Sequence, residues 1–283
     1  MEKRAINVNG PVVEYSSVVE FLSRNFTPTG LISIDQGLPL HLHWTDAGAD
    51  TTLVMFSGAT STRIPTVPAF EGFATTRDLS ANVLLVSDPS IILDRKMTIG
   101  WYAGHNRAPD FQQELQEIVA SLAEGTRVVF FGTSGGGFPA LEQASRVSGS
   151  TALVVNPLTH VNYERREAVD LYLKNAWNME NPEDPDEVPF VNSVIPIYEK
   201  PVDASVLCIH NINDTRHLKH YWNPFVKVAH PSNQICTIKP DLGPGHVGPD
   251  KKTMVELFRM VTVMPEFGNL VDCVTAMPIT REV

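Results

Sequence analysis

Ser134 stands where a side chain could act as a nucleophile. It is the centre of Gly132-Thr133-Ser134-Gly135-Gly136, which follows an apolar run, Val128 to Phe131, that reads as a buried strand. The run after it, Phe138 to Val147, reads as a helix. In a Gly-x-Ser-x-Gly turn between strand and helix the serine is held in a strained conformation with positive φ, and side chains on the flanking residues would strike the adjoining elements. Such a turn lifts the hydroxyl clear of the sheet. It also aims the first amides of the helix, and the positive end of its dipole, at the point where negative charge would develop. A Gly/Ser-rich loop cradling a phosphate is the competing reading. A Walker loop is excluded because no Lys-Ser or Lys-Thr follows the glycines, and a dinucleotide fingerprint fits poorly because no acidic residue ends a second strand about 20 residues on.

A serine hydroxyl needs a base to take its proton and a carboxylate to orient that base. Ala204 to His210 reads as a fully buried strand, and Asn211-Ile212-Asn213-Asp214 follows it, which puts a carboxylate on the loop at its end. Gln234 to Ile238 reads as a further strand and runs into the loop Asp241 to Pro249, with His246 at its centre. Of the nine histidines, His246 alone is flanked on both sides by turn residues and followed by a helical run, Lys251 to Val261. The order is therefore Ser134, Asp214, His246, each on a loop leaving the C-terminal end of a strand. Asp214 could instead serve as an Asx-turn or cap ahead of Thr215 to His220. The rival acid Asp203 precedes its strand and falls at the opposite end of the sheet.

An oxyanion forming at the serine needs a second amide from the loop after another central strand. Thr52 to Phe56 is such a strand and leads into Ser57-Gly58-Ala59-Thr60. The amide of Ala59, with Gly58 or Thr60 as rivals, is expected to act beside that of Gly135. Trp101, Tyr102 and Thr133 are the candidate substrate contacts, although aromatic residues packed under a long loop would explain the first two equally. A zinc site can be drawn from His210, His217 and His220, but no cysteine joins them and no Glu takes the helical position of a His-Glu-x-x-His motif. His41 and His43 make only two ligands. No metal and no cofactor is expected.

Taken together, FSGAT, GTSGGG, HNIND and GPGHVGP resemble the α/β-hydrolases in order and spacing over most of the chain. The resemblance implies Ser134 as nucleophile, His246 as general base and Asp214 as its orienting acid. Where many esterases of that family have His-Gly, this chain has Phe56-Ser57-Gly58. The segment SDPSIILDRKMTIGWYAG is similar to hydrolase-like proteins of bacterial capsule and accessory secretion systems.

Several elements must position these residues. Ser16 to Phe26 reads as a short amphipathic helix, and Leu31 to Ile34 with Leu38 to Trp44 as an antiparallel hairpin turning at Asp35-Gln36-Gly37. A helix near Pro68 to Asp78, a strand Asn82 to Val86, a helix Asp110 to Leu122 and a strand Thr151 to Val155 follow. Strands alternating with helices from residue 52 onward imply an α/β fold with a mainly parallel sheet, helices on both faces and the hairpin at one edge, and the resemblance implies that this is the α/β-hydrolase fold. Two insertions would shape the pocket. One is Ser87 to Pro109; the other, 156–202, carries a helical stretch from Tyr163 to Trp177 and an acidic run from Asn181 to Pro189, and is expected to form a small cap over a core of 1–155 and 203–283.

Composition narrows the function classes. The 283 residues can hold one large α/β domain, and a hydrophobic content of 43% is that of an ordinary globular protein. A net charge of -10 with no cluster of Lys and Arg argues against nucleic acid or an anionic membrane as partner. The start, MEKRAINVNG, lacks an apolar segment of the export type, and no run is apolar enough to span a membrane. Cys208, Cys236 and Cys273 make no metal spacing and cannot all pair, and the two within expected strands, Cys208 and Cys236, read as core thiols of a reducing compartment, so a cytoplasmic location is expected. The expected activity is that of a carboxylesterase-like serine hydrolase cleaving an ester, thioester or amide through an acyl-serine. Acyl transfer by the same residues, or a binding protein that lost turnover, remains the alternative. The expected partner is a small-molecule acyl substrate, and a homo-oligomer is left open.

Overall fold

The computed structural model describes residues 2–8, 10–161, 166–180 and 188–281. Among them the strands are β1 (Ala5–Ile6), β2 (Val12–Tyr15), β3 (Gly30–Asp35), β4 (Pro39–Thr45), β5 (Thr51–Phe56), β6 (Thr66–Val67), β7 (Asn82–Val86), β8 (Arg127–Thr133), β9 (Ser150–Val155), β10 (Ala204–Ile209) and β11 (Gln234–Ile238). The helices are α1 (Val18–Leu22), α2 (Phe73–Thr76), α3 (Phe111–Leu122), α4 (Gly137–Ala144), α5 (Arg166–Trp177), α6 (Ile195–Tyr198), α7 (Thr215–His217), α8 (Asn223–Val228), α9 (Lys251–Val263) and α10 (Phe267–Ala276). A nine-stranded sheet runs in the order β11-β10-β9-β8-β5-β7-β4-β3-β2, while β1 and β6 pair apart from it. Within the large sheet β4 alone runs against the others.

The central strands are buried along nearly their whole length because helices cover both faces. Alternate residues then sort into two cores. Val54, Phe56, Leu84, Val86, Phe130 and Val154 pack with α3, α4 and α5 on one face. Leu53, Met55, Leu85, Phe131, Leu153 and Leu207 meet Leu257, Phe258 and Val261 of α9 and Leu270 and Val274 of α10 on the other. Tyr172 and Trp177 of α5 are buried in the first core, so the described part of the insertion between β9 and β10 packs on the sheet. Tyr163 to Arg165 and Asn181 to Glu187 of the expected cap lie outside the described residues. No helix of the described residues is long and apolar enough to cross a membrane.

Some expected elements are shorter. The helix expected over Ser16 to Phe26 is α1 alone, capped by the Ser17 hydroxyl. That expected over Pro68 to Asp78 shrinks to α2, because Gly72 at φ +109 cannot lie inside a helix. The hairpin β3–β4 forms with Ser33 opposite His41, and β2 adds one strand beyond it, parallel to β3. Neither β2 nor α10 was foreseen. The first is short and only half-buried, and Pro265 and Gly268 punctuate the run that forms the second.

The insertion 87–109 is tied down by buried polar groups. Asp88 accepts from the amides of Ser90 and Tyr102, and the Tyr102 hydroxyl accepts from Ser57 N at 2.9 Å while donating to Val86 O at 3.0 Å. From the N-terminal segment the buried Arg4 guanidinium donates to the carbonyls of Ile91, Asp94 and Met97. At the other end of the chain Asp250 starts α9: it accepts from Thr253 N at 2.8 Å and from the Thr280 hydroxyl at 2.9 Å. Asp250→Ala is expected to lower the free energy of unfolding by about 1 kcal/mol. Urea titration measures it, and an unchanged midpoint would show that this cap does not anchor the helix.

Candidate active site

The turn after β8 is built on close approach. Ser134 has φ +51 and opens a single tight turn, Ser134–Gly136, that continues into α4. A Cβ on Gly136 would lie 2.5 Å from Phe56 O and 2.9 Å from Ser57 O, and one on Gly132 would run into the Gly136 carbonyl. A Cβ on Gly137 would stand 2.5 Å from Pro157 Cβ, so the third consecutive glycine, which the motif did not require, is also needed here. Glycine is thus what lets β8, β5 and the loop after β9 meet at the serine.

The structure brings the three predicted side chains together. His246 Nε2 is 2.8 Å from Ser134 Oγ, in position to accept its proton. On the other side of the ring, His246 Nδ1 donates to Asp214 Oδ2 at 2.5 Å. Asp214 is 3% exposed, and its second oxygen accepts from His217 Nδ1 at 2.7 Å. Burial by itself would raise the Asp214 pKa, but the hydrogen bonds from His246 and His217 outweigh it and hold the carboxyl below its usual range. Asp203 stands at the far end of β10, bound to the Ser148 hydroxyl.

Two asparagines that the sequence reading passed over clasp these loops. Asn211 donates from Nδ2 to the carbonyls of Gly243 and Gly245, both at 2.8 Å, and its own amide donates to Asn156 Oδ1. Asn156, at φ +43, donates in turn to Val247 O at 2.9 Å. Both are buried. The available signal was their place, each just beyond the end of a buried strand where a polar side chain must find partners.

A cavity of about 440 Å³ opens over Ser134 and His246, with Ala59, Ile99, Trp101 and Leu158 in its wall. The Gly58 amide donates to Glu71 Oε2 at 3.4 Å and the Thr60 amide to Thr98 O at 2.7 Å. Among the described residues the Ala59 amide between them makes no such bond. Trp101 lines the cavity as expected of a substrate contact. Tyr102 does not: its ring is buried against Phe56 and its hydroxyl is taken up by Ser57 and Val86, so it braces the wall from behind. Thr133 faces a separate cavity of about 210 Å³ beside Met55 and Phe131, because its strand position points to the other face of the sheet.

The histidines drawn as a metal alternative do not converge. Asp214, His217 and His246 are the group whose ligand atoms come together among the described residues, while His220 is exposed and lies outside it. His210 is fully buried at the end of β10 with Nε2 unpartnered, and burial pulls its pKa down to about 4. His41 and His43 sit on β4, away from this cavity.

A mainly parallel sheet with this crossover and a serine on the turn after its central strand defines the α/β-hydrolase fold, and the chain has it. No protein-family model and no curated protein matches the sequence. Among solved structures the chain is similar to the capsule O-acetyltransferase of Neisseria meningitidis serogroup A, with a TM-score of 0.61 and 14% identity over 80% of this chain and 94% of that one. It is similar as well to an S-formylglutathione hydrolase from Agrobacterium tumefaciens, with a TM-score of 0.52 and 12% identity over 78% and 86% of the two chains. An acetyl xylan esterase from Paenibacillus sp. R4 also superimposes, with a TM-score of 0.52 and 14% identity over 79% of each chain.

Gly136→Ala is expected to cost about 1–3 kcal/mol by overpacking, read by thermal unfolding; an unaltered melting point would refute the close approach of β5. Neutral His210 makes stability pH-dependent. Its folded pKa lies below the ordinary value of about 6.5, so its contribution is complete above that pH and is lost as pH falls towards about 4. Comparing His210→Gln with the wild type by urea unfolding between these limits should show a flatter acid slope in the variant; equal slopes would contradict a buried neutral imidazole.

Proposed function

We propose that the protein is a serine enzyme that cleaves a carboxylic ester, or a thioester or amide, through an acyl-Ser134 intermediate. The observation that carries this reading is the continuous hydrogen-bonded line from Ser134 Oγ through His246 to Asp214 at 2.8 and 2.5 Å. His246 takes the Ser134 proton as Oγ bonds to the substrate carbonyl carbon, giving a tetrahedral oxyanion held by the Gly135 and Ala59 amides. Collapse breaks the bond to the leaving group, which receives the proton from His246. Water then gives a proton to His246 and its oxygen bonds to the acyl carbon. The second collapse releases the acid, and His246 returns the proton to Ser134. Asp214 stays ionised and fixes the Nδ1–H tautomer of His246 throughout.

Transfer of the acyl group to a hydroxyl of a second substrate uses the same residues. The similarity to a capsule O-acetyltransferase, at a TM-score of 0.61, favours keeping it as the second reading. The segment 156–202 is proposed to act as a cap, which is supported by Leu158 and Ala168 in the cavity wall. Free Cys208, Cys236 and Cys273 support a reducing, cytoplasmic setting.

A small acyl group fits best. A Cβ on Gly135 would collide with Ile99 Cδ1 and reach Leu158 Cδ1, so these two side chains stand against the Cα of the residue whose amide is to hold the oxyanion. Ile99→Ala should therefore raise kcat/KM for butyryl over acetyl esters by roughly tenfold, from two methylenes at about 0.8 kcal/mol each; an unshifted chain-length preference would move the acyl group elsewhere. The nucleophile is tested by intact-mass detection of fluorophosphonate labelling. Ser134→Ala should abolish labelling and lower turnover by at least roughly 10³-fold. Labelling that persists in the variant would overturn the assignment, and release of acylated alcohol in place of free acid would select the transfer reading.

A further inference from the structure

Asp214 binds two imidazoles, although orienting His246 takes only one of its oxygens. His217 is 6% exposed, donates from Nδ1 to Oδ1, and its backbone amide points at the same oxygen. Its ring lies nearly flat on that of His246, centroids 3.9 Å apart and planes 21° from parallel, and it stacks on Tyr221 as well. One carboxylate neutralises one imidazolium, and two cationic rings at this spacing would repel. The stacking contact and the two hydrogen bonds to one carboxylate tie both rings and Asp214 into a single packed unit.

We propose that His217 is a positioning residue for the Ser134–His246 pair: by occupying the second oxygen of Asp214 and stacking on His246 it locks both groups in place and divides the carboxylate's hydrogen bonding between two imidazoles. The inference rests on the acyl-serine reading of the site. A carboxylate with a free second oxygen could turn about its own axis and would concentrate its charge on His246. With His217 donating to it, rotation breaks two hydrogen bonds and the charge is shared. Other titratable and charged groups near the unit include Arg216 on α7, His210 at the end of β10, Tyr221 in the helical turn Leu218–Trp222, His160 packed on Tyr221, and Asp241 in the His246 loop, itself bound to Asn213. His210 is held neutral by burial, so it adds no charge near neutral pH.

The test is the pH dependence of the unit. His217→Phe keeps a stacking ring and removes the donor, so Asp214 loses one of the bonds that hold its carboxyl low and gives more of its charge to His246. Both effects act in the same direction. The acid limb of kcat/KM should move up by roughly one pH unit, the scale of one hydrogen bond to a charged group. Imidazole NMR titration of the same variant should show the same displacement. His217→Asn restores a donor and should bring the limb back towards wild type. A merely structural histidine would lower stability and leave the limb unmoved, with Phe and Asn alike, and that result overturns the proposal while the nucleophile reading stands. Conversely, NMR displacement together with full activity of Ser134→Ala would retain the coupling and defeat that reading. His217→Leu, which also lacks a donor, gives the same comparison if phenylalanine is not accommodated.

Discussion

A buried carboxylate must be bonded on both oxygens or be protonated, and the placement of Asp214 under that constraint organises the site. Its partners are two imidazoles delivered by different routes, His217 from the helix that begins beside it and His246 from a loop 32 residues further along the chain. That long-range bond forms because β10 and β11 are parallel neighbours and their following loops leave the same edge. Asn211 and Asn156 then satisfy the carbonyls of the His246 loop, so the loop is held through its backbone and the imidazole is free to face Ser134.

The sheet supplies rigidity at low conformational cost. Its central strands are covered on both faces, and every second side chain is committed to one core or the other. A loop leaving such a strand begins from a fixed direction. Strained residues stand at two of these exits. Ser134 and Asn156, each the first residue past its strand, have positive φ, as do Trp101 and Tyr102 within the 87–109 insertion and Asn178 after α5. Trp101 lines the cavity, and buried hydrogen bonds from Arg4 and to Asp88 hold its loop.

The likeness to solved structures at 10–16% identity has the same origin. Patterned burial and a few close glycine contacts tolerate almost any exchange of apolar side chains, so the shape persists when the sequence does not. The wall around the serine is set locally, by side chains such as Ile99, Leu158 and Trp101.

Much of the fold was legible in the chain itself. Continuous apolar runs marked the buried strands, glycines marked the turn at Ser134, and Asp214 and His246 could be picked out because each lies on the loop that follows a strand. These are local signals, set by backbone sterics and by the period of burial. The edge strand β2 and the helix α10 left only weak ones, since half-buried or punctuated segments lack a clean period. Tertiary structure alone decided which face each residue near the serine would take. Thr133 turned to the far side of the sheet and Tyr102 bent back under the wall, while the Ala59 amide, between two that are bonded, has no partner among the described residues. It also decided that His217, which in sequence looked like one of a spaced histidine trio, would share a carboxylate with His246. No spacing along the chain encodes that contact, because it depends on where two loops from neighbouring strands come to rest.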